Sequence, residues 1–466
     1  MKIFSLVIVL FLTLCSYAQN IDSIRIRAIY DESLSSLKSY QYLKQLCKGV
    51  GHRLTASPNS YKAVDWGYEL MQSLQPDTVY KQEIIVPHWV RGEKSIIKIK
   101  GQTKPMHATA LGMSVGTDGK TIEGELLIVH QLKQLDTLGS LVKDKIVLYN
   151  RALNPRFINT GNAYGACFDQ RWWGASNAAK YGAKGVLVRS LTLREDSFPH
   201  SGGMRYVDSI KKIPAAAISI KDAKKLGQIY QTGKRPIISM KMNCINKPDT
   251  IHYNVIAEIK GNKFPDEIIT IGGHLDSWDL GEGAHDDGAG SVHTIEAMRL
   301  LLQTGYRPQR TLRFVLFMNE ENGNNGGKFY AKYAKEKGEN HYCAIESDRG
   351  GFTPRGFTID GPKNHIKHIQ QWSELLSPYD INVLKEGWGG VDIKPLKDNG
   401  PITLIGYLPD NQRYFDHHHA ASDILENVHP RELELGAASI ASLLYLIDKY
   451  GLPAQNLKGE NKIDLH

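Results

Sequence analysis

Leu34, Leu37, Tyr40, Leu43 and Leu46 recur about every three residues, and the pattern stops near Gly49. That spacing stacks the apolar side chains on one face, so an amphipathic helix is predicted here. A loop from Gly51 with Pro58 then feeds a second helix reaching Leu74, and Lys94 to Lys100 reads as a strand. From about Lys104 short β runs take over (GELLIVH, KDKIVLYN, AKGVLVRS, AAAISI), with a helix through Ala175 to Gly182, and the segment ends near Pro248. From Tyr253 strands and helices alternate. Glu267 to Ile271 is a strand running into Gly272-Gly273-His274, Ser291 to Leu302 a helix, and Leu312 to Met318 an apolar run suited to a strand covered on both faces. Ala344 to Glu346 is a further short strand, and a last helix starts at Pro430 and ends at Gly451. Such alternation predicts an α/β fold: a mixed, mostly parallel sheet with helices on both faces, interrupted by a smaller β-rich segment. The predicted organisation is a leader over 1–18, a first part over 19–103, an insertion over 104–248 and a second part over 249–466.

The first eighteen residues read as an export signal. Lys2 precedes an apolar run from Ile3 to Leu14, and Ser16-Tyr17-Ala18 offers small residues for cleavage after Ala18. The run is well short of the roughly 20 residues a spanning helix needs. The expectation is a secreted or periplasmic protein with no stable membrane span. Leu12 and Leu14 before Cys15 are too bulky for a lipoprotein signal. Of the 5 cysteines, Cys47, Cys167, Cys244 and Cys343 would remain, too widely separated for a disulfide scaffold or a thiolate zinc site. The 466 residues carry 57 Lys+Arg against 49 Asp+Glu, a net +8 with no basic block and no interleaved aromatics, so no nucleic-acid partner is expected.

Chemistry concentrates in five short motifs: GGHLDSWD (His274, Asp276), GAHDDGAG (Asp286, Asp287), FMNEENG (Glu320, Glu321), ESDRG (Asp348) and DHHHAASD (His417, His418, His419, Asp423). Several directly follow a predicted strand, and in an open α/β sheet the carboxyl ends of strands meet at one crevice. Several carboxylates buried together cannot all stay ionised without cations. A pair of divalent metals removes the conflict, and a mixture of His and carboxylate without thiolate suits zinc, with cobalt or manganese as substitutes. Gly112-Met113-Ser114-Val115-Gly116 matches a nucleophile elbow, but Thr117-Asp118-Gly119-Lys120 is turn sequence where a helix should begin. The glycines around Gly281 to Gly290 lack dinucleotide spacing, and the carboxylates between them would repel a pyrophosphate.

The order and spacing of these motifs resemble the family 28 zinc metallopeptidases, with HRLTASP near the start, LGMSVGT before the insertion and WDLGEGAHDDGAG at the site. KIVLYN followed by AAKYGAKGVLV resembles a protease-associated module, a small β-rich lid. The resemblance implies a zinc aminopeptidase-like fold with two Zn2+ per chain. It assigns His274 and Asp348 to one ion, Glu321 and His419 to the other, and Asp286 to the bridge between them. Glu320 is then the general base and Asp276 the carboxylate that orients His274. Asp287 follows the bridging Asp where the family has a cis peptide bond, and Asp423 partners His419; His417 and His418 are read as surface or pocket-wall residues. His285 is a candidate for the pocket lining, His293 a structural residue. The family also implies exopeptidase action on a short peptide substrate and a homodimer, and one of its subgroups narrows the substrate to unblocked dipeptides. Arg349 is a candidate for the terminal carboxylate, and the loop Phe168 to Trp173 for contact with substrate or a second subunit. The alternatives are a broader zinc aminopeptidase on longer peptides, a one-zinc glutaminyl cyclase of the same fold, and an inactive receptor-like ectodomain; retention of the ligands and the base favours the enzyme.

Overall fold

The computed structural model describes residues 21–454. The leader and its cleavage site lie outside the described residues. The predicted opening helix is two helices, one over 21–36 and one over Lys38–Lys44. Leu37 between them has φ 50°, which turns the chain and leaves its side chain half exposed while Leu43 and Leu46 stay buried.

An eight-stranded sheet runs in the order Thr78–Val90, Ile245–Ile259, Arg310–Phe317, Phe264–His274, Asn340–Glu346, Thr403–Pro409, Pro354–Asp360, Val383–Glu386. Four of its seven pairings are parallel, including both that flank Phe264–His274, so the sheet is mixed with a parallel centre. The period-2 alternation of a strand explains why both faces need cover. Along Arg310–Phe317, Leu312, Phe314 and Leu316 enter a core with Ala289–Gln303 and Pro430–Tyr450, while Val315 and Phe317 enter another with Tyr330, Ala331 and Ala334 of Asn325–Lys337.

A second sheet of seven strands is drawn from residues 96–241, in the order Ile96–Ile99, Ile237–Lys241, Ile122–Val129, Ile146–Tyr149, Gly185–Arg189, Ala215–Ile218, Ala108–Ala110. It too is packed on both faces, with Ile146 and Leu148 in one cluster and Val147 and Tyr149 in another. Thr78–Val90 pairs antiparallel with Ile245–Ile259 from Thr78↔Glu258 to Val90↔Ile245, forming a ribbon that carries the chain into this sheet and back. The register shifts between Val86 and His88, where Pro87 has no N–H to donate. Cys47, Cys167, Cys244 and Cys343 are buried and unbridged. No helix among the described residues is long and apolar enough to cross a membrane.

Candidate metal centre

His274 ends Phe264–His274, Glu320 and Glu321 follow Arg310–Phe317, and Asp348 follows Asn340–Glu346; these three strands are parallel neighbours, so the residues leave the sheet at one edge. Asp286 lies in the turn Ala284–Gly288 ahead of helix Ala289–Gln303, and His419 just beyond the short helix Tyr414–His417. His274 Nε2 is 3.3 Å from Asp286 Oδ1 and 3.6 Å from Asp348 Oδ1. His419 Nε2 is 3.2 Å from Asp286 Oδ2 and 3.0 Å from Glu321 Oε2. One oxygen of Asp286 therefore faces His274 and the other His419, and the ligand atoms close enough to share an ion fall into three overlapping groups: His274, Asp286 and Glu321; His274, Asp287 and Asp348; and Asp286, His418 and His419.

Buried hydrogen bonds build this arrangement. Arg53, fully buried in the HRLTASP stretch, donates to the carbonyls of Leu275, Glu282 and Gly283 and so ties both ends of the loop between His274 and Asp286. Thr55 Oγ1 donates to Asp276 Oδ2 at 2.6 Å. Asp276 Oδ1 accepts the N–H groups of Asn319 (2.8 Å) and Glu320 (3.1 Å), while His274 Nδ1 meets the Asp276 backbone carbonyl at 3.0 Å and its carboxylate only at 3.7 Å. Asp276 thus orients His274 chiefly through its carbonyl and spends its carboxylate on the Glu320 backbone. Asp287 accepts from His274 N–H (3.0 Å) and Gly290 N–H (2.9 Å), and its peptide bond with Asp286 is cis. Asp423 accepts from the N–H groups of His285 (2.7 Å) and Asp286 (3.1 Å), so it fixes the Asp286 turn rather than the His419 ring.

A cation fits the electrostatics. With Nδ1–H donated to the Asp276 carbonyl, neutral His274 presents an Nε2 lone pair to the oxygens of Asp286 and Asp348, acceptor against acceptor; Nε2 and Asp286 Oδ2 are buried and lack hydrogen-bond partners. Burial opposes ionising Asp286, yet His274 and His419 hold it well below the usual carboxylate range. Burial pushes Glu321 well above that range, with Asp286 adding to it, and pushes Glu320 up to about 8, with Asp348, Asp286 and Asp276 adding to it. Burial also opposes a charge on His274, but Asp276, Asp286 and Asp348 raise its pKa well above the ordinary value. One proton there cannot serve Asp286, Asp348 and Glu321 at once. Imidazole nitrogens and carboxylate oxygens without thiolate are a zinc donor set.

The centre opens into a cavity of about 810 Å³, whose walls come from both sheets' loops. Tyr164, Phe168, Arg171 and Trp172 from the loops of the second sheet line it, together with Trp388 and Tyr414. His418 lines it too, 3.9 Å from Asp286 Oδ2 and stacked on His419. His417 bonds the Ser422 carbonyl; His285 lies buried against Phe352 and His417; His293 bridges Ser347 and the Leu433 carbonyl. Ser114 is fully buried, its hydroxyl accepting from Ala215 N–H and donating to the Val115 carbonyl, with no histidine in that network. Arg349 lines the cavity with its guanidinium tied to Thr358 Oγ1 and the Trp388 carbonyl. Sequence reasoning missed Arg53, Thr55, Tyr164 and Arg171 as individual residues, although HRLTASP held two of them.

Residues 254–444 match Peptidase family M28. Carboxypeptidase Q of Xenopus laevis is 35% identical over 410 residues, covering 88% of this chain and 86% of that protein. The crystal structure of a peptidase M28 precursor from Shewanella amazonensis superposes with a TM-score of 0.88 at 32% identity, covering 93% of this chain and 99% of that one. A zinc aminopeptidase from Bacillus subtilis shares the fold, with a TM-score of 0.65 at 19% identity over 88% of this chain and 94% of its own. The chain belongs to peptidase family M28 and is a zinc-dependent metallopeptidase of zinc aminopeptidase-like fold. Among its relatives the resemblance to carboxypeptidase Q extends over most of the chain.

Proposed function

We propose that the protein is an exported di-zinc exopeptidase for short peptides, above all unblocked dipeptides. The observation that carries this reading is Asp286, one oxygen 3.3 Å from His274 Nε2 and the other 3.2 Å from His419 Nε2. His274 and Asp348 would hold one ion, Glu321 and His419 the second, with Asp286 shared. Zinc bound there supplies Lewis acidity that lowers the pKa of water and polarises an acyl oxygen. Glu320 lines the cavity beside these ligands, its backbone fixed by Asp276, and as general base takes the proton of the attacking water and hands it to the leaving amine.

Selectivity comes from the walls. A free α-amino group suits the carboxylates around Asp286 and Asp348. For the opposite end, Arg349 spends donors on Thr358 and Trp388; Arg171 spends Nη2 on Tyr164 Oη and Nη1 on a long contact with the Ser201 carbonyl, but it is 4% exposed, has no ion-pair partner among the described residues and keeps Nε unpartnered. Arg171 is therefore our candidate for the terminal carboxylate. The insertion, placed by the sequence at 104–248, contributes that wall and would limit substrate length. The supports for export and a homodimer are the leader sequence and the family resemblance. Turnover on a matched panel of free dipeptides, the same peptides blocked at the amino end, and longer peptides tests the function. Fast cleavage of free dipeptides alone is expected; efficient cleavage of blocked peptides overturns end recognition, and rapid stepwise trimming of long ones favours a general aminopeptidase.

A further inference from the structure

The proposed second ligand pair is held from outside its own sheet. His419 has φ 62°, a left-handed conformation that is costly for a residue with a side chain and persists only where its surroundings enforce it. The enforcing contacts come from residues 200–203, which lie between strands Gly185–Arg189 and Ala215–Ile218 of the second sheet. Ser201 N–H donates to the His419 carbonyl at 2.9 Å, and His200 donates from Nδ1 to the His418 carbonyl at 2.8 Å. His200 is itself buried, and its N–H is anchored on Ser190 Oγ at 2.8 Å. Gly112 N–H donates to the Gly202 carbonyl (2.9 Å) and Met204 N–H to the Gly112 carbonyl (3.1 Å), tying the segment to its own module. Close approach requires glycine: a Cβ on Gly202, at φ 116°, would sit 2.4 Å from Arg171 Nη1 and 2.5 Å from His419 Nδ1, which that guanidinium also faces, and one on Gly203 would sit 3.1 Å from the Glu321 carbonyl. His274, by contrast, takes its support from Asp276 and Asp287.

We propose that residues 200–203 are a positioning segment for one of the two metal sites, so that the Glu321–His419 pair retains its ion only while the second sheet is docked, and the His274–Asp348 pair does not depend on it. The inference rests on the two-zinc reading above. Its test is zinc titration of the full chain against a chromophoric chelator, with metal content and thermal unfolding measured on the same samples. The wild type should bind two zinc ions per chain. His200→Ala should weaken one of them by the roughly 10–100-fold typical of removing a group that supports a ligand, and leave the other unchanged. His200→Asn, whose side-chain N–H can reach the same carbonyl, should restore most of that loss. Gly202→Ala should reproduce the weakening from the ring side, by crowding both His419 and the Arg171 guanidinium beside it, independently of the His200 contact. Two zinc ions bound at wild-type affinity in both His200→Ala and Gly202→Ala overturn the proposal, as does equal weakening of both ions. A wild type that binds a single zinc sinks the two-zinc reading and takes the inference with it.

Discussion

At the scale of the residue, Glu320 and Glu321 are adjacent in sequence yet sit in different surroundings. Glu321 lies 3.0 Å from His419 Nε2, whereas Glu320 has its backbone pinned by Asp276 and its side chain on the cavity wall. Glu320→Gln should keep its zinc and lose turnover by roughly 10²–10⁴-fold, the range for an acid–base group. Zinc analysis beside kcat separates this from loss of a ligand, since a Gln variant that drops its metal makes Glu320 a ligand instead. Asp286→Ala should release both ions, because each donor set shares one of its oxygens; a variant that keeps two zincs removes Asp286 from the bridge. The five motifs were legible because their residue types have few other reasons to cluster. Their supports were not. Asp423 is readable as a carboxylate near the site, but that its oxygens take the N–H groups of His285 and Asp286 depends on a turn whose shape no local pattern encodes.

At the scale of the element, the site depends on helix Ala289–Gln303 starting hard against the strand ends. Gly290 allows this: a Cβ there would sit 1.8 Å from the Ser347 carbonyl and 2.2 Å from Asp287 Oδ2. Neither can retreat, because Ser347 follows a central strand and Asp287 is bonded to His274 and Gly290. Gly290→Ala should therefore cost roughly 3 kcal/mol or more, beyond the usual single substitution, and lower zinc affinity along with stability. Chemical denaturation of the zinc-free variant and wild type checks the first part, and an unfolding midpoint near wild type contradicts it. The central strands are legible as unbroken apolar runs, Arg310–Phe317 being buried at every position, and the helices from apolar residues at helical spacing. Pro430 marks the start of the last helix and Gly451 its end, as the sequence predicts. The break at Leu37 is not legible, since leucine gives no sign of a left-handed turn. Nor is the contact of His200 with His418, which joins loops of the two sheets across 218 residues of sequence.

At the scale of the whole molecule, acid should undo the fold through charges that lie away from the candidate metal centre. Arg313, on the buried strand Arg310–Phe317, reaches Glu258 on the neighbouring strand Ile245–Ile259 and Glu339 just ahead of Asn340–Glu346, which lies two strands away on the other side. Burial alone would raise Glu339, but hydrogen bonds from His341 and Arg313, and the Arg313 charge, bring it down to about 2 from an ordinary value of 4.5. A carboxyl with a depressed folded-state pKa leaves the folded protein holding fewer protons than the unfolded chain between those two values. Its contribution is full above pH 4.5 and is lost as the pH falls toward about 2. Glu339→Gln forfeits that contribution at every pH above the window, so its deficit in stability should be largest near neutrality and shrink through the window. Metal release would blur the comparison, because the candidate ligands also take up protons in acid. The measurement is therefore the urea midpoint of wild type and variant in excess chelator from pH 7 down to pH 3. A deficit that stays constant over that range would mean that Glu339 acts by packing rather than by charge. A deficit that grows in acid would reverse the sign assigned here and place the protonated form in the folded state.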